Sequence, residues 1–391
     1  MTCLPRGQGI RSQSCHDSPE TAFLATTCVP LLETHGVHHK PHLRRLRDNL
    51  ARLAGEDLQI CRFGFYAAHE QYDPNELLGF AVRAEKNNFD TIWSSDHFHP
   101  WAHTNAKSGF AWVWLASAAE RTRRVSLGTV TPPLLRYHPA LVAQAFSTFS
   151  FMYPNRVFLC LATGEAMNEA PLGLRWPSYR ERLGRLEESI VIIRRLWTDS
   201  FVDFEGEYYR LRKANLYTKP RGKIPLYVAA NGPSTAYVAG KYADGLLTSG
   251  RVFEAKFKSE LLPAVERGAK DVGRNADEVK KIVHIVTSYD EDFERAVAGC
   301  RFWNATMLPG IFSAEVYDPR EIEARAQSIT REDVIKTRFI VTKEEEAIKK
   351  IESYLTAGVT EIEFLSTSPD QNKFIDFFGK KVLTYFRDRS G

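Results

Sequence analysis

The sequence predicts an α/β fold, a (β/α)8 barrel with insertions. Three observations carry this: from Gln59 onward short β-branched or aromatic runs alternate with longer helical patterns, eight strand-like runs occur, and no GxGxxG follows the first. Such alternation marks parallel strands joined by helices, and eight of them over residues 59–391 fit a closed barrel better than an open dinucleotide-binding sheet. In chain order the expected strands are Arg62–Ala67, Thr91–Ser94, Arg124–Val130, Val157–Ala162, Leu226–Ala230, Gly245–Thr248, Ile282–Ser288 and Glu361–Leu365. Between them, Pro74–Asn87, Pro139–Phe151, Ser178–Trp197, Pro233–Tyr242 and Lys343–Ala357 read as helices, several opened by a proline or a capping Asp, Ser or Thr. Residues 1–58 mix His, Arg, Ser, Thr and Pro without a sustained period and read as a poorly structured appendage, in which Pro41–Leu53 is at most one basic surface helix.

Composition narrows the function classes. Lys and Arg number 52 against 48 acidic residues, a net charge of +4 that predicts no strong phosphate-backbone field, so nucleic acid is not an expected partner. No apolar run approaches the ~18 residues a spanning helix needs, and membrane is not expected either. Thr21–Leu32 follows Arg6 and Arg11 but lacks a small-residue cleavage pattern, which speaks against export. The six cysteines are scattered, with no CxxC pair, and point to a reducing compartment, the cytoplasm.

In a barrel of this kind the loops after the strands build the active site, so polar residues at strand C-termini are the functional candidates. Glu70 follows the first strand, and Asp96-His97-Phe98-His99-Pro100-Trp101 the second. An imidazole tuned by an adjacent carboxylate can serve as a general base near neutral pH, and His97 beside Asp96 is the candidate, with Trp101 as a flat wall. A zinc or iron site using His97, His99, His103 and Asp96 is the rival, but no comparable ligand stands at another strand end apart from Glu70 and Glu165, and no metal is expected. After the fourth strand, Gly164 lets backbone approach a ligand and Glu165 is a candidate acid. Pro132-Pro133 breaks the chain after the third strand, and Gly232 before Pro233 offers helix N–H groups to a phosphate or ring oxygen.

Taken in order, FGFYAAHEQYDPNEL, SSDHFHPW, RYHPALVAQAFSTFSFMYPNRVFL, ATGEAMNE, RLEESIVIIRRLW, FEGEYYRL, YVAANGP and RFW resemble the luciferase-like oxidoreductases that use the deazaflavin coenzyme F420. The resemblance covers nearly all of Arg62–Phe386. It implies a luciferase-like barrel, a homodimer, and hydride transfer between a substrate carbinol carbon and carbon 5 of the deazaflavin. Matched position by position, His97 is the base on the substrate hydroxyl, Trp101 positions the reacting centre, Glu165 is the acid serving the reduced coenzyme, and Glu70 is a second carboxylate of the pocket. Asp96, Thr131, Gly164, Asn168, Ala230, Asn231 and Gly232 fall where the family holds coenzyme F420, and a non-prolyl cis peptide is implied at Thr129–Val130.

Two subgroups compete for the substrate: F420-dependent sugar-phosphate (glucose-6-phosphate) dehydrogenases and F420-dependent secondary alcohol dehydrogenases. DHFHPWAHTNAKSGFAWVW and LPGIFSAEVYDP look more like the second. Where the sugar-phosphate enzymes carry a basic trio, the resemblance matches Arg251, Val286 and Arg301, with Thr248 beside them. A valine cannot neutralise phosphate, and losing one charge-assisted contact costs roughly 1.5–3 kcal/mol, so an uncharged alcohol or ketone is expected and a sugar phosphate is the alternative. Unlike readings are an FMN-dependent monooxygenase on the same barrel, a metal-dependent hydrolase and a non-catalytic cofactor-binding protein.

Overall fold

The computed structural model describes residues 61–388; the expectation that residues 1–58 form an appendage lies outside them. Among the described residues eleven strands run in the order β1 (Arg62–Ala67), β2 (Thr91–Ser94), β3 (Ser126–Thr131), β4 (Val157–Leu161), β5 (Val202–Glu205), β6 (Arg210–Ala214), β7 (Leu226–Ala229), β8 (Gly245–Ser249), β9 (Lys280–Tyr289), β10 (Phe339–Val341) and β11 (Glu361–Ser366). Eight of these, β1, β2, β3, β4, β7, β8, β9 and β11, pair in parallel and close on themselves, β11 lying against β1 and β8 against β9. This is the expected (β/α)8 barrel.

Side-chain alternation divides the core in two. Phe63, Phe65, Val283, Ile285, Ile362 and Phe364 point outward into the layer packed by the helices. The inner positions of the same strands fill the barrel. There Trp93 packs on Phe158 with ring centroids 4.4 Å apart and on Tyr227 at 6.0 Å. Gly128 makes room for them, since a Cβ there would stand 2.4 Å from the Phe158 carbonyl oxygen. At the floor Glu361 accepts hydrogen bonds from Thr91 Oγ1 and Trp93 Nε1, both at 2.8 Å.

The boundaries have local causes. The third strand begins at Ser126 rather than Arg124 because the Glu85 carboxylate takes the backbone N–H groups of Arg123, Arg124 and Val125. The seventh barrel strand is longer than expected at both ends: Lys280 pairs with Gly245, and Tyr289 with Val341 of the unforeseen β10. Three residues are too few to show alternation, so β10 had no periodic signal. The β5–β6 hairpin turns over the Glu188 carboxylate, which accepts from the N–H groups of Glu207, Tyr208 and Tyr209. Between β9 and β11 an insertion carrying a short helix, Cys300–Met307, and helices Pro319–Ala326 and Arg331–Thr337 packs Trp303, Ile311 and Ile322 against Trp101 at the barrel mouth.

Candidate active site

At the C-terminal mouth, chain segments following β1, β2 and β4 converge. His97 does not pair with its neighbour Asp96. Adjacent side chains on an extended segment point to opposite sides, and the imidazole meets Glu70 instead, Nδ1 to Oε1 at 2.7 Å. Glu70 is fully buried and its Oε2 accepts a 2.7 Å hydrogen bond from Ser95 Oγ, which itself accepts from the His69 N–H. Burial pushes Glu70 up, but His97 and Ser95 outweigh it and the carboxyl lies below the usual range. Burial lowers His97, but Glu70 and then Glu165 outweigh that, so the imidazolium is favoured over free imidazole. The Trp101 indole stands edge-on to this ring, centroids 5.7 Å apart. The His97 Nε2 has no hydrogen-bond partner among the described residues.

Asp96 turns the other way and ties loops together. Its Oδ2 accepts from Thr131 Oγ1 at 2.8 Å, its Oδ1 from Tyr137 at 3.2 Å, and Arg136 lies 3.5 Å away. Burial pushes this carboxyl up, against the pull of Arg136 and Thr131. Thr131 also accepts from Trp112, while Thr129 donates to the Ser94 carbonyl and Val130 faces the barrel interior.

One strand beyond β3, Glu165 occupies the N-cap position of the short helix Ala166–Glu169 without a side-chain cap bond, and its Oε2 accepts from Asn168 Nδ2 at 3.2 Å. Asn168 in turn accepts from the Phe98 N–H at 2.8 Å, joining the second and fourth loops. Gly164 has φ +74°, and a Cβ there would lie 2.6 Å from Leu134 Cδ1. Ala230 is buried, Asn231 Oδ1 accepts from Thr248 Oγ1 and the Ser249 N–H, and Gly232 opens the helix Pro233–Tyr242. Among the described residues, no atom beyond its chain neighbours stands within 4 Å of where a Gly232 side chain would begin. The open helix start at Gly232 fits the phosphate-bearing tail of a coenzyme such as the deazaflavin, whereas the bare face of Gly164 is taken up by Leu134 and Pro132.

Val286 packs in an apolar cluster with Ala68, Trp101, Met167, Trp303 and Leu365. Arg301 is on an exposed face of the short helix Cys300–Met307 and makes no ion pair among the described residues. The arginine that sequence reasoning missed is Arg338. It donates to the Trp303 carbonyl at 2.6 Å and to Thr306 Oγ1 at 2.7 Å, while its Nε is buried without a partner among the described residues. Burial lowers it to about 10, and the charge of nearby Arg251 adds to that. Nothing in the local sequence marks it, because its significance lies in a neighbour on a distant strand end. Among the described residues no group of three His, Cys, Asp or Glu is placed to hold an ion, and His99 Nδ1 contacts the Tyr317 carbonyl at 2.9 Å. No helix among these residues is long and apolar enough to cross a membrane.

The luciferase-like monooxygenase family model matches residues 60–361. An F420-dependent glucose-6-phosphate dehydrogenase of Nakamurella multipartita is 40% identical over 328 residues, spanning 83% of this chain and 96% of the relative. One of Mycolicibacterium fortuitum is 41% identical over 324 residues, 82% and 96% of the two chains. Among solved structures, an F420-dependent secondary alcohol dehydrogenase in complex with an F420–acetone adduct superposes with a TM-score of 0.80 at 39% identity, covering 83% of this chain and 98% of the other. A closed parallel barrel, a mouth lined by the motif residues, and identity of this extent with proteins named F420-dependent dehydrogenases establish that the chain belongs to the luciferase-like family.

Proposed function

We propose that the chain is a coenzyme F420-dependent dehydrogenase acting on the CH–OH group of a secondary alcohol, or reducing the corresponding ketone. One observation carries the reading: His97, paired through Nδ1 with buried Glu70, presents an unpartnered Nε2 beside the apolar wall of Trp101 and Val286. In the oxidation, neutral His97 accepts the hydroxyl proton at Nε2, and Glu70 stabilises the imidazolium that forms. Trp101 excludes water and orients the carbinol carbon. Bound deazaflavin supplies the hydride acceptor at its carbon 5. Gly164, Asn168, Ala230, Asn231 and Gly232 would hold it, and Glu165, with one oxygen on Asn168, would hold or release a proton at the rim. Thr129, Val130 and Thr131 shape the pocket wall, with Asp96 keeping that wall in place. The enzyme acts as a homodimer in the cytoplasm.

A sugar phosphate is the second reading, favoured by Arg338, whose buried unpartnered Nε and proximity to Arg251 make an anion-seeking pair. Loss of deazaflavin absorbance with isopropanol but not with glucose 6-phosphate supports the alcohol. Bleaching with the sugar phosphate alone replaces it, and then Arg338→Met should raise KM for that substrate by about tenfold to a hundredfold. No bleaching with any alcohol or sugar phosphate, despite coenzyme binding, would remove the dehydrogenase reading.

A further inference from the structure

Below the mouth the barrel holds a polar layer that the chemistry above leaves unused. Barrel interiors are ordinarily filled by branched apolar side chains. Here His284 of β9 and Glu363 of β11 stand at matching register positions and face inward as a pair, Nδ1 to Oε1 at 2.8 Å. Glu363 is wholly buried, and its Oε2 has no hydrogen-bond partner among the described residues. A half-satisfied buried carboxyl is costly to keep in a core.

The ring of Tyr66, on β1 at the far side of β11, meets the His284 imidazole edge-on, with centroids 5.2 Å and planes 73° apart. Tyr66 packs against both the interior cluster of Trp93, Phe158 and Tyr227 and the mouth cluster of Trp101 and Met167. It therefore stands where the filled barrel gives way to the open site. Its hydroxyl makes no protein hydrogen bond among the described residues and lies within electrostatic reach of Glu70, Glu363, Glu165 and Cys160. Burial and these carboxylates keep the phenol protonated, which makes it a donor. Glu165 and Cys160 belong to β4 and its loop, the side on which Gly164 and Asn168 lie.

We infer that Tyr66 is a further coenzyme-contacting residue, donating its hydroxyl to an acceptor on the flat deazaflavin ring, and that His284 and Glu363 are positioning residues that hold the Tyr66 ring in the donating orientation. The inference rests on the F420 reading above. It is tested by titrating the full chain with oxidised coenzyme F420 and following the quenching of its fluorescence. Tyr66→Phe should raise Kd about threefold to tenfold, the worth of one neutral hydrogen bond. Glu363→Gln should raise it less, and the Tyr66→Phe/Glu363→Gln double variant should bind as Tyr66→Phe does, within about a factor of two. If Glu363→Gln does not fold, His284→Asn takes its place in the same cycle. Wild-type Kd in Tyr66→Phe, or additive effects in the double variant, overturns the inference and leaves the proposed function standing. Failure of the wild-type chain to bind coenzyme F420 overturns the proposed function itself.

Discussion

At the scale of single residues, the Glu70–His97 pair determines what the site can do. Glu70 raises His97 above the ordinary imidazole value, so the group is a stronger base and its neutral, proton-accepting form appears at higher pH. Alcohol oxidation should therefore rise with pH as His97 loses its proton. In Glu70→Gln the nearest negative charge is gone, Glu165 is left to oppose burial and Arg136, and the acid limb of kcat/KM should move to lower pH. An unmoved limb would mean that another group titrates. His97→Ala should cut turnover by ~10²–10⁴-fold while leaving coenzyme affinity near wild type. Equal losses in both would make His97 a binding residue. His69, next to this pair, is different in kind: burial lowers it to about 4 and its ring packs edge-on against Trp114, so it acts as a neutral core residue.

At the scale of elements, the loop after β4 is the most constrained. Its turn depends on Gly164 in the left-handed region, with Leu134 packed against the face where a side chain would project. Gly164→Ala should cost roughly 1–2 kcal/mol in backbone strain alone, lower the thermal midpoint by a few degrees and weaken coenzyme binding, because Glu165 and Asn168 follow directly. Calorimetry checks it; an unchanged midpoint would show that Leu134 yields and the turn relaxes. Strand existence was legible from the sequence because buried parallel strands read as short apolar runs. Their ends were less so. Glu85 clipping the start of β3 and β10 extending β9 are side-chain and pairing events from distant segments, which no local pattern records.

For the whole molecule, closure of β1 against β11 is reinforced outside the barrel. Arg83 and Asp376, on the helices following those two strands, meet through hydrogen bonds of 2.7 and 2.8 Å. The family model begins at residue 60 and the compared relatives are spanned almost completely by the rest of the chain. Removing residues 1–58 should accordingly leave soluble protein with the turnover of the full chain. Loss of solubility or activity on that deletion would make the segment part of the enzyme.

By itself the sequence determined the barrel, the order of its strands and the motif residues at their ends, because alternation and strand-end polarity are local properties of a chain. Only the tertiary structure decided which of those residues act together. The partner of His97 is Glu70 rather than the adjacent Asp96, since neighbours on an extended segment diverge while separate strand ends converge. Arg338, far along the chain, comes near Arg251, and the barrel interior joins Tyr66, His284 and Glu363 from three strands. Charge pairing and burial are set by distances through space, and those exist only once the barrel has closed.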